Sequence, residues 1–180
     1  MELQALGYVG VGTSKPEDWS AFVTSMLGMQ LSETSVAGQV FRMDDRKQRM
    51  FVDGNHSAPP HTFGWEVTDA AALDRLATRL EEARVTFLHE PSTLADRRCV
   101  RDLISFNDPM GNRLEAFWGA AIDEQPFVPG RSISGFRTGP LGLGHVVLMT
   151  RDLPAARHFY EVVLGFQLTD YIVVPFTAYF

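Results

Sequence analysis

One stretch of this chain occurs twice. Leu143 to Asp170, LGHVVLMTRDLPAARHFYEVVLGFQLTD, aligns without a gap to Leu6 to Glu33, LGYVGVGTSKPEDWSAFVTSMLGMQLSE, at an offset of 137 residues. Leu6, Gly7, Val9, Thr13, Phe22, Leu27, Gly28, Gln30 and Leu31 each have an identical counterpart. Such a duplication restricts the chain to folds assembled from whole supersecondary units. The second copy reads as an apolar strand, His145 with Val146, Val147, Leu148 and Met149, followed by a helix. Asp152 is its expected N-cap, Pro154 lies in its first turn, Ala156, Phe159, Tyr160 and Val163 are its apolar positions, and Gly165 stops it. The informative difference is that Tyr8 stands where the second copy has His145.

The chain between the copies follows the same plan. Module one opens with a strand near Leu3–Val11, then a helix with Ser14 and Glu17 at capping-box spacing and Pro16 in its first turn. Trp19, Phe22, Val23, Met26 and Leu27 predict a single buried stripe on that helix, and Gly28 ends it. Strands are expected at Gln39–Met43 and Arg49–Val52 around a charged turn at Asp44–Lys47. Module two starts after Pro59-Pro60, with a strand at His61–Thr68. Asp69 then caps a helix that buries Leu73, Leu76, Ala77 and Leu80. Further strands are expected at Val85–Leu88, Arg101–Phe106 and Arg113–Trp118, the last two joined by Asp108-Pro109-Met110-Gly111, a type I turn sequence. Strand, helix, strands thus recur with a period of 55 residues, Tyr8 to Phe63. The composition of 120–140, with Pro126, Pro129, Gly130, Gly135, Gly139 and Pro140, is that of a linker, ordered by Phe127 and Phe136 packing onto a domain. Module three begins at Leu141.

Several function classes fall away on composition. A net charge of −6 at pH 7 argues against a nucleic-acid partner. No apolar run approaches the roughly 18–20 residues of a membrane span, and MELQALGYVG lacks the pattern of a secretory signal. Cys99 is the single cysteine, so no internal disulfide can form and a cytoplasmic location is expected.

The paired βαβββ modules resemble the vicinal oxygen chelate (glyoxalase/bleomycin resistance) superfamily, and specifically the type I extradiol ring-cleavage dioxygenases. The segments LGYVGVG, RRCVRDLISFNDPMGNRLEAFWG, QPFVPGRSISGF, GPLGLGHVV and FYEVVLGFQLTD carry the resemblance almost end to end. It implies an α+β fold of tandem βαβββ modules, with 1–119 as a complete structural domain, 120–140 as a linker, and 141–180 as the incomplete first module of a catalytic domain. It also implies Fe(II)-dependent cleavage of a substituted or bicyclic catechol, such as 2,3-dihydroxybiphenyl, by O2 in aromatic catabolism, by a homo-oligomer.

Members of that family hold Fe(II) through two histidines and one glutamate, an arrangement that leaves open positions for substrate. His145 matches the first histidine, in G-L-G-H. Alternation along the strand puts Val147 and Met149 on its face, as expected lining of the substrate cup. The second histidine and the glutamate come, by the resemblance, from a fourth module that these 180 residues do not include, so the chain alone is expected to be inactive and not to retain iron. In the first domain the repeat places Tyr8, Phe63 and Glu115 as a degenerate copy of the site, with no imidazole.

Two alternatives remain open at this level. One is a metal-free ligand-binding protein of the bleomycin-resistance type, which needs a cavity between modules one and two. The other is a structural piece that dimerises through the unpaired apolar face and strand edges of module three. The remaining candidates read as ordinary structure. His61 sits on the strand face of Phe63, His158 opposite the apolar face of its helix, His56 in a loop and His89 at a strand end. Gly7, Gly10 and Gly12 lack the order of a phosphate loop and read as close-packing positions in a strand. Cys99, among Arg97, Arg98 and Arg101, reads as a plain strand cysteine rather than a thiolate. The pairs Asp44-Asp45 and Glu81-Glu82 read as solvated faces.

Overall fold

Residues 2–35, 38–55, 59–173 and 177–179 are described in the structure, a computed structural model. Each of the first two modules contributes four strands to one mixed sheet. Module one supplies β1 (Leu3–Gly12), β2 (Gln30–Ser35), β3 (Gly38–Arg42) and β4 (Met50–Asp53). Module two supplies β5 (His61–Val67), β6 (Phe87–His89), β7 (Asp102–Asn107) and β8 (Arg113–Trp118). The order is β2-β3-β4-β1-β5-β8-β7-β6, with β1 and β5 antiparallel at the centre, and with β1 and β4, and β5 and β8, parallel. The two halves are therefore built alike, as the repeat requires.

The sheet has two unlike faces because side chains alternate along each strand. One face is apolar and covered by helices. Helix α2 (Ala70–Glu82), capped by Asp69 through Ala72 N at 2.8 Å, buries Leu73, Leu76 and Leu80 against Phe63, Val67, Ile104, Leu114 and Ala116. The opposite, inner face carries Tyr8, Phe51, Leu103 and Phe117, covered by Ala95 of a short helix α3 (Ser92–Arg97) and by Val100. Neither β2 nor α3 was foreseen. Every residue of β2 after Gln30 is exposed and α3 buries only Ala95, so neither shows an apolar period.

Helix α1 (Pro16–Ala21) departs from expectation, since its second half is a π-helix, Phe22–Leu27. The wider π turn breaks the 3.6-residue phase. Only Val23 of the expected stripe is buried, while Phe22, Met26 and Leu27 face outward. The Ser14–Glu17 capping box does not form either. The helix starts at Pro16, and its N-cap position is Lys15, which makes no side-chain cap. The counterpart of Lys15 in the second copy is Asp152, which does cap, accepting from Ala155 N at 3.0 Å. That copy, α4 (Leu153–Arg157), also continues as a π-helix, His158–Val163, so the duplication preserves the irregularity.

Residues 120–140 run back along module one. Arg42, 1% exposed, holds Asp123 at 3.0 Å and the Gln125 carbonyl at 2.9 Å. Phe136 packs on the Val23, Phe41 and Met50 cluster and lies 6.0 Å from Phe127. Asp44 is not solvated as expected: the Arg49 guanidinium binds it at 2.6 and 2.9 Å, and the pair fastens this turn. Glu81 and Glu82 are exposed.

Module three docks on the helix face. Leu143 N donates to Leu6 O at 2.9 Å, so equivalent positions of the two copies meet. At Gly142, with φ +63, a Cβ would lie 2.2 Å from the Leu6 oxygen, which only glycine permits. Phe159, Val163 and Leu164 join the core of α2 and β5–β8, Trp65 and Phe166 meet edge to face at 4.8 Å, and Tyr160 donates to Asp108 at 2.9 Å. The apolar face of module three at Phe159, Val163 and Leu164, expected to lack a partner within the chain, is thus covered by module two. The expected strand His145–Met149 is not formed. A strand needs a free edge, and β1 is already flanked by β4 and β5. A short hairpin, β9 (Tyr171–Val173) with β10 (Thr177–Tyr179), follows.

Candidate functional site

Three strands bring one residue each to the same level of the inner face. Tyr8 on β1 pairs with Gly64 on β5, and Gly64 pairs with Glu115 on β8. Phe63 is therefore not the third corner. It pairs with Val9 and Leu114 and points to the helices. A one-residue offset flips a strand residue to the other face, and β1 carries an irregularity between Leu6 and Tyr8 that the 55-residue period does not register. Gly64 is glycine for want of space: an added Cβ would come within 2.3–2.5 Å of three atoms of the Tyr8 ring. The same holds at Gly10 against the Phe51 ring, so the glycines do serve close packing.

Glu115 is fully buried and fully engaged. Arg98, delivered from the end of α3, binds both its oxygens at 2.8 and 3.3 Å. The Tyr8 hydroxyl donates to Oε2 at 2.6 Å, and Arg113 donates to Oε1 at 2.9 Å. Arg113 also holds Glu90 at 2.7 Å, and Glu90 accepts the Ser105 hydroxyl. The Arg98 guanidinium lies 3.7 Å from the centroid of the Phe51 ring, and the Tyr8 ring stacks on Phe117 at 4.8 Å. Burial alone pushes the Glu115 carboxyl up, but Arg98, Tyr8 and Arg113 outweigh it and hold the group below the usual carboxylate range. Burial, then the Glu115 charge, push the Tyr8 phenol well above its ordinary value. The arrangement is a carboxylate already neutralised, beside a phenol held protonated. The cluster has no free base and no free ligand, and its rings and ion pairs are packed closely around Glu115.

His145 lies elsewhere, on the surface of the docked module. It is exposed, as are Val147 at 72% and Met149 at 92%, while Val146 and Leu148 turn inward against the core. The alternation expected of this segment is present, with His145, Val147 and Met149 on one side. Among the described residues no three His, Cys, Asp or Glu side chains converge to hold a metal ion. The described residues do not by themselves offer iron a ligand set: the inner-face carboxylate is consumed by arginines, and His145 is a single donor.

The other candidates stay structural. His61, His89 and His158 are exposed, and His56 lies outside the described residues. Cys99 is not on a strand but in a turn after α3, with φ +54, and burial pushes its thiol up. Sequence reading missed Gly64 and Arg98. The Arg97-Arg98 pair is visible in the sequence, but its position at the end of a short helix with no apolar period gives no sign of a partner at Glu115.

Comparison with known proteins gives a consistent result. Residues 6–54 match the family Dihydroxybiphenyl dioxygenase BphC D1, and residues 142–180 match the Glyoxalase/Bleomycin resistance protein/Dioxygenase superfamily. A biphenyl-2,3-diol 1,2-dioxygenase of Paraburkholderia xenovorans (strain LB400) is 41% identical over 173 residues, 96% of this chain and 58% of the relative. An iron-dependent extradiol dioxygenase of Rhodococcus jostii (strain RHA1) is 35% identical over 97% of this chain and 58% of its own length. Among solved structures, BphC, a halotolerant catechol dioxygenase, superposes with a TM-score of 0.90 at 33% identity over 95% of this chain and 58% of that one. The Mn(II)-bound glyoxalase from Novosphingobium aromaticivorans shares the fold, with a TM-score of 0.73 at 18% identity.

Proposed function

We propose that this chain, which spans 58% of the length of the extradiol dioxygenases it resembles, belongs with them in the Glyoxalase/Bleomycin resistance protein/Dioxygenase superfamily and is part of an enzyme that opens a substituted or bicyclic catechol with O2. The observation that carries the reading is the exchange of Tyr8 for His145 between two gapless copies, with the first copy sealed by Arg98 and Glu115. In this reading 1–119 is the structural domain, 120–140 the linker and 141–180 the opening of the catalytic domain. His145 is one iron ligand, and Val147 and Met149 line the catechol beside it.

His145, with residues of the remaining length of such enzymes, would hold Fe(II), which would supply the activation of O2. The described residues do not by themselves complete that site. A homo-oligomer in the cytoplasm belongs to the same reading. The outward Phe22, Met26 and Leu27 support assembly, and the single cysteine suits a reducing compartment. The 180-residue chain, loaded anaerobically with Fe(II) and given 2,3-dihydroxybiphenyl and air, is expected to retain no iron and form no yellow ring-opened product. Turnover by this chain would overturn the proposal.

A further inference from the structure

We infer that the inner face of the first domain is a cation-binding slot of guanidinium chemistry, and that Arg98 is its resident cation, held in the place where the three central strands come level. The inference stands on this geometry and is independent of the ring-cleavage reading.

Three features of the slot match what a planar guanidinium recognises. A carboxylate, Glu115, presents both oxygens to it at 2.8 and 3.3 Å. An aromatic face, Phe51, lies 3.7 Å from its central carbon. The slot is dry, with Glu115 0%, Tyr8 1% and Arg98 7% exposed. Bidentate pairing and stacking on a ring are the two modes in which Arg outperforms Lys. Tyr8 donates to the same Oε2 as Arg98 Nε, and Arg113, itself paired with Glu90, holds Oε1, so two donors besides Arg98 orient the carboxylate. The slot floor is therefore built by β1, β4 and β8, whereas its occupant comes from outside the sheet, on the C-cap of α3. Occupant and floor are separable by mutation.

This separability gives the test. Arg98→Ala empties the slot and leaves Glu115 buried with one partner fewer. The thermal midpoint of the 180-residue chain is expected to fall by roughly 10 °C. Methylguanidinium at low millimolar concentration, far below the molar range in which guanidinium salts denature, is expected to raise the variant's midpoint by about 3 °C for each tenfold increase past saturation. It is expected to leave the parent chain unchanged. Equal concentrations of methylurea, its neutral counterpart, are expected to do nothing. Arg98→Met, which fills the slot without charge, is expected to show no rescue. If Arg98→Ala does not fold alone, its refolded yield with and without methylguanidinium reads the same quantity. Rescue by methylguanidinium but not methylurea supports the slot. Equal response to both, or to neither, overturns it and makes Arg98 a packing residue only.

Discussion

The Tyr8 hydroxyl donates a 2.6 Å hydrogen bond to Glu115, 107 positions away in sequence, at the place where the second copy of the repeat carries His145. One β-α unit has thus been used for two purposes. In the first copy the position ties two modules together; in the second it presents an imidazole at the surface.

Tyr8→Phe removes a buried hydrogen bond to a charged acceptor while Arg98 and Arg113 stay. A loss of about 2 kcal/mol is expected in urea unfolding, with the slope of the transition unchanged. A loss of a few tenths would mean that the bond is replaced at little cost.

The pH dependence follows from the same pair. Glu115 is held below its ordinary value of 4.5, so its stabilisation is present above that pH and is lost as pH falls through the lower, folded value. Tyr8 is held well above 10.0, so its contribution is present below pH 10 and is lost as pH rises beyond it. Tyr160 behaves likewise, its phenol pushed up by burial and by Asp108. Urea midpoints should therefore fall on both sides of neutrality. Tyr8→Phe combined with Tyr160→Phe should flatten the alkaline side, and should also make the acid side shallower, because Tyr8 is one of the donors that hold Glu115 low.

Gly64→Ala puts a methyl group into the Tyr8 ring. Overpacking of this kind costs about 1–3 kcal/mol. Pairing it with Tyr8→Ser should cost less than the two changes separately, because the second makes room for the first. Additive losses would place the strain elsewhere.

Much of the architecture was legible because it depends on periodicity. The α2 stripe ending in Leu80, the Asp69 cap and the strand Arg113–Trp118 are where local pattern places them. What was hidden depends on register and on partners distant in sequence. Gly64 rather than Phe63 faces Tyr8 because of the irregularity in β1 between Leu6 and Tyr8. Arg98 reaches Glu115 from a six-residue helix with no apolar period. The segment around His145 is a strand by composition and not in fact; it docks beside β1, which β4 and β5 already flank. The candidate site was legible only as an asymmetry between copies, since its first copy is closed by a residue outside the repeat.

Tyr160 latches module three to the β7–β8 turn through Asp108. Tyr160→Phe should speed amide exchange in residues 143–166 while leaving β1 and β4 protected as before. Unchanged exchange would show that Phe159, Val163 and Leu164 hold the module without the latch.

The central claim is that His145, and not Tyr8, stands at a metal position. The most direct test is a chimera in which residues 1–180 replace the matching part of the Paraburkholderia relative. It is expected to bind Fe(II) and cleave 2,3-dihydroxybiphenyl. His145→Ala in it should abolish both iron retention and product, whereas Tyr8→Phe should leave turnover per bound iron unchanged. A chimera that binds iron and stays active without His145 would contradict the account.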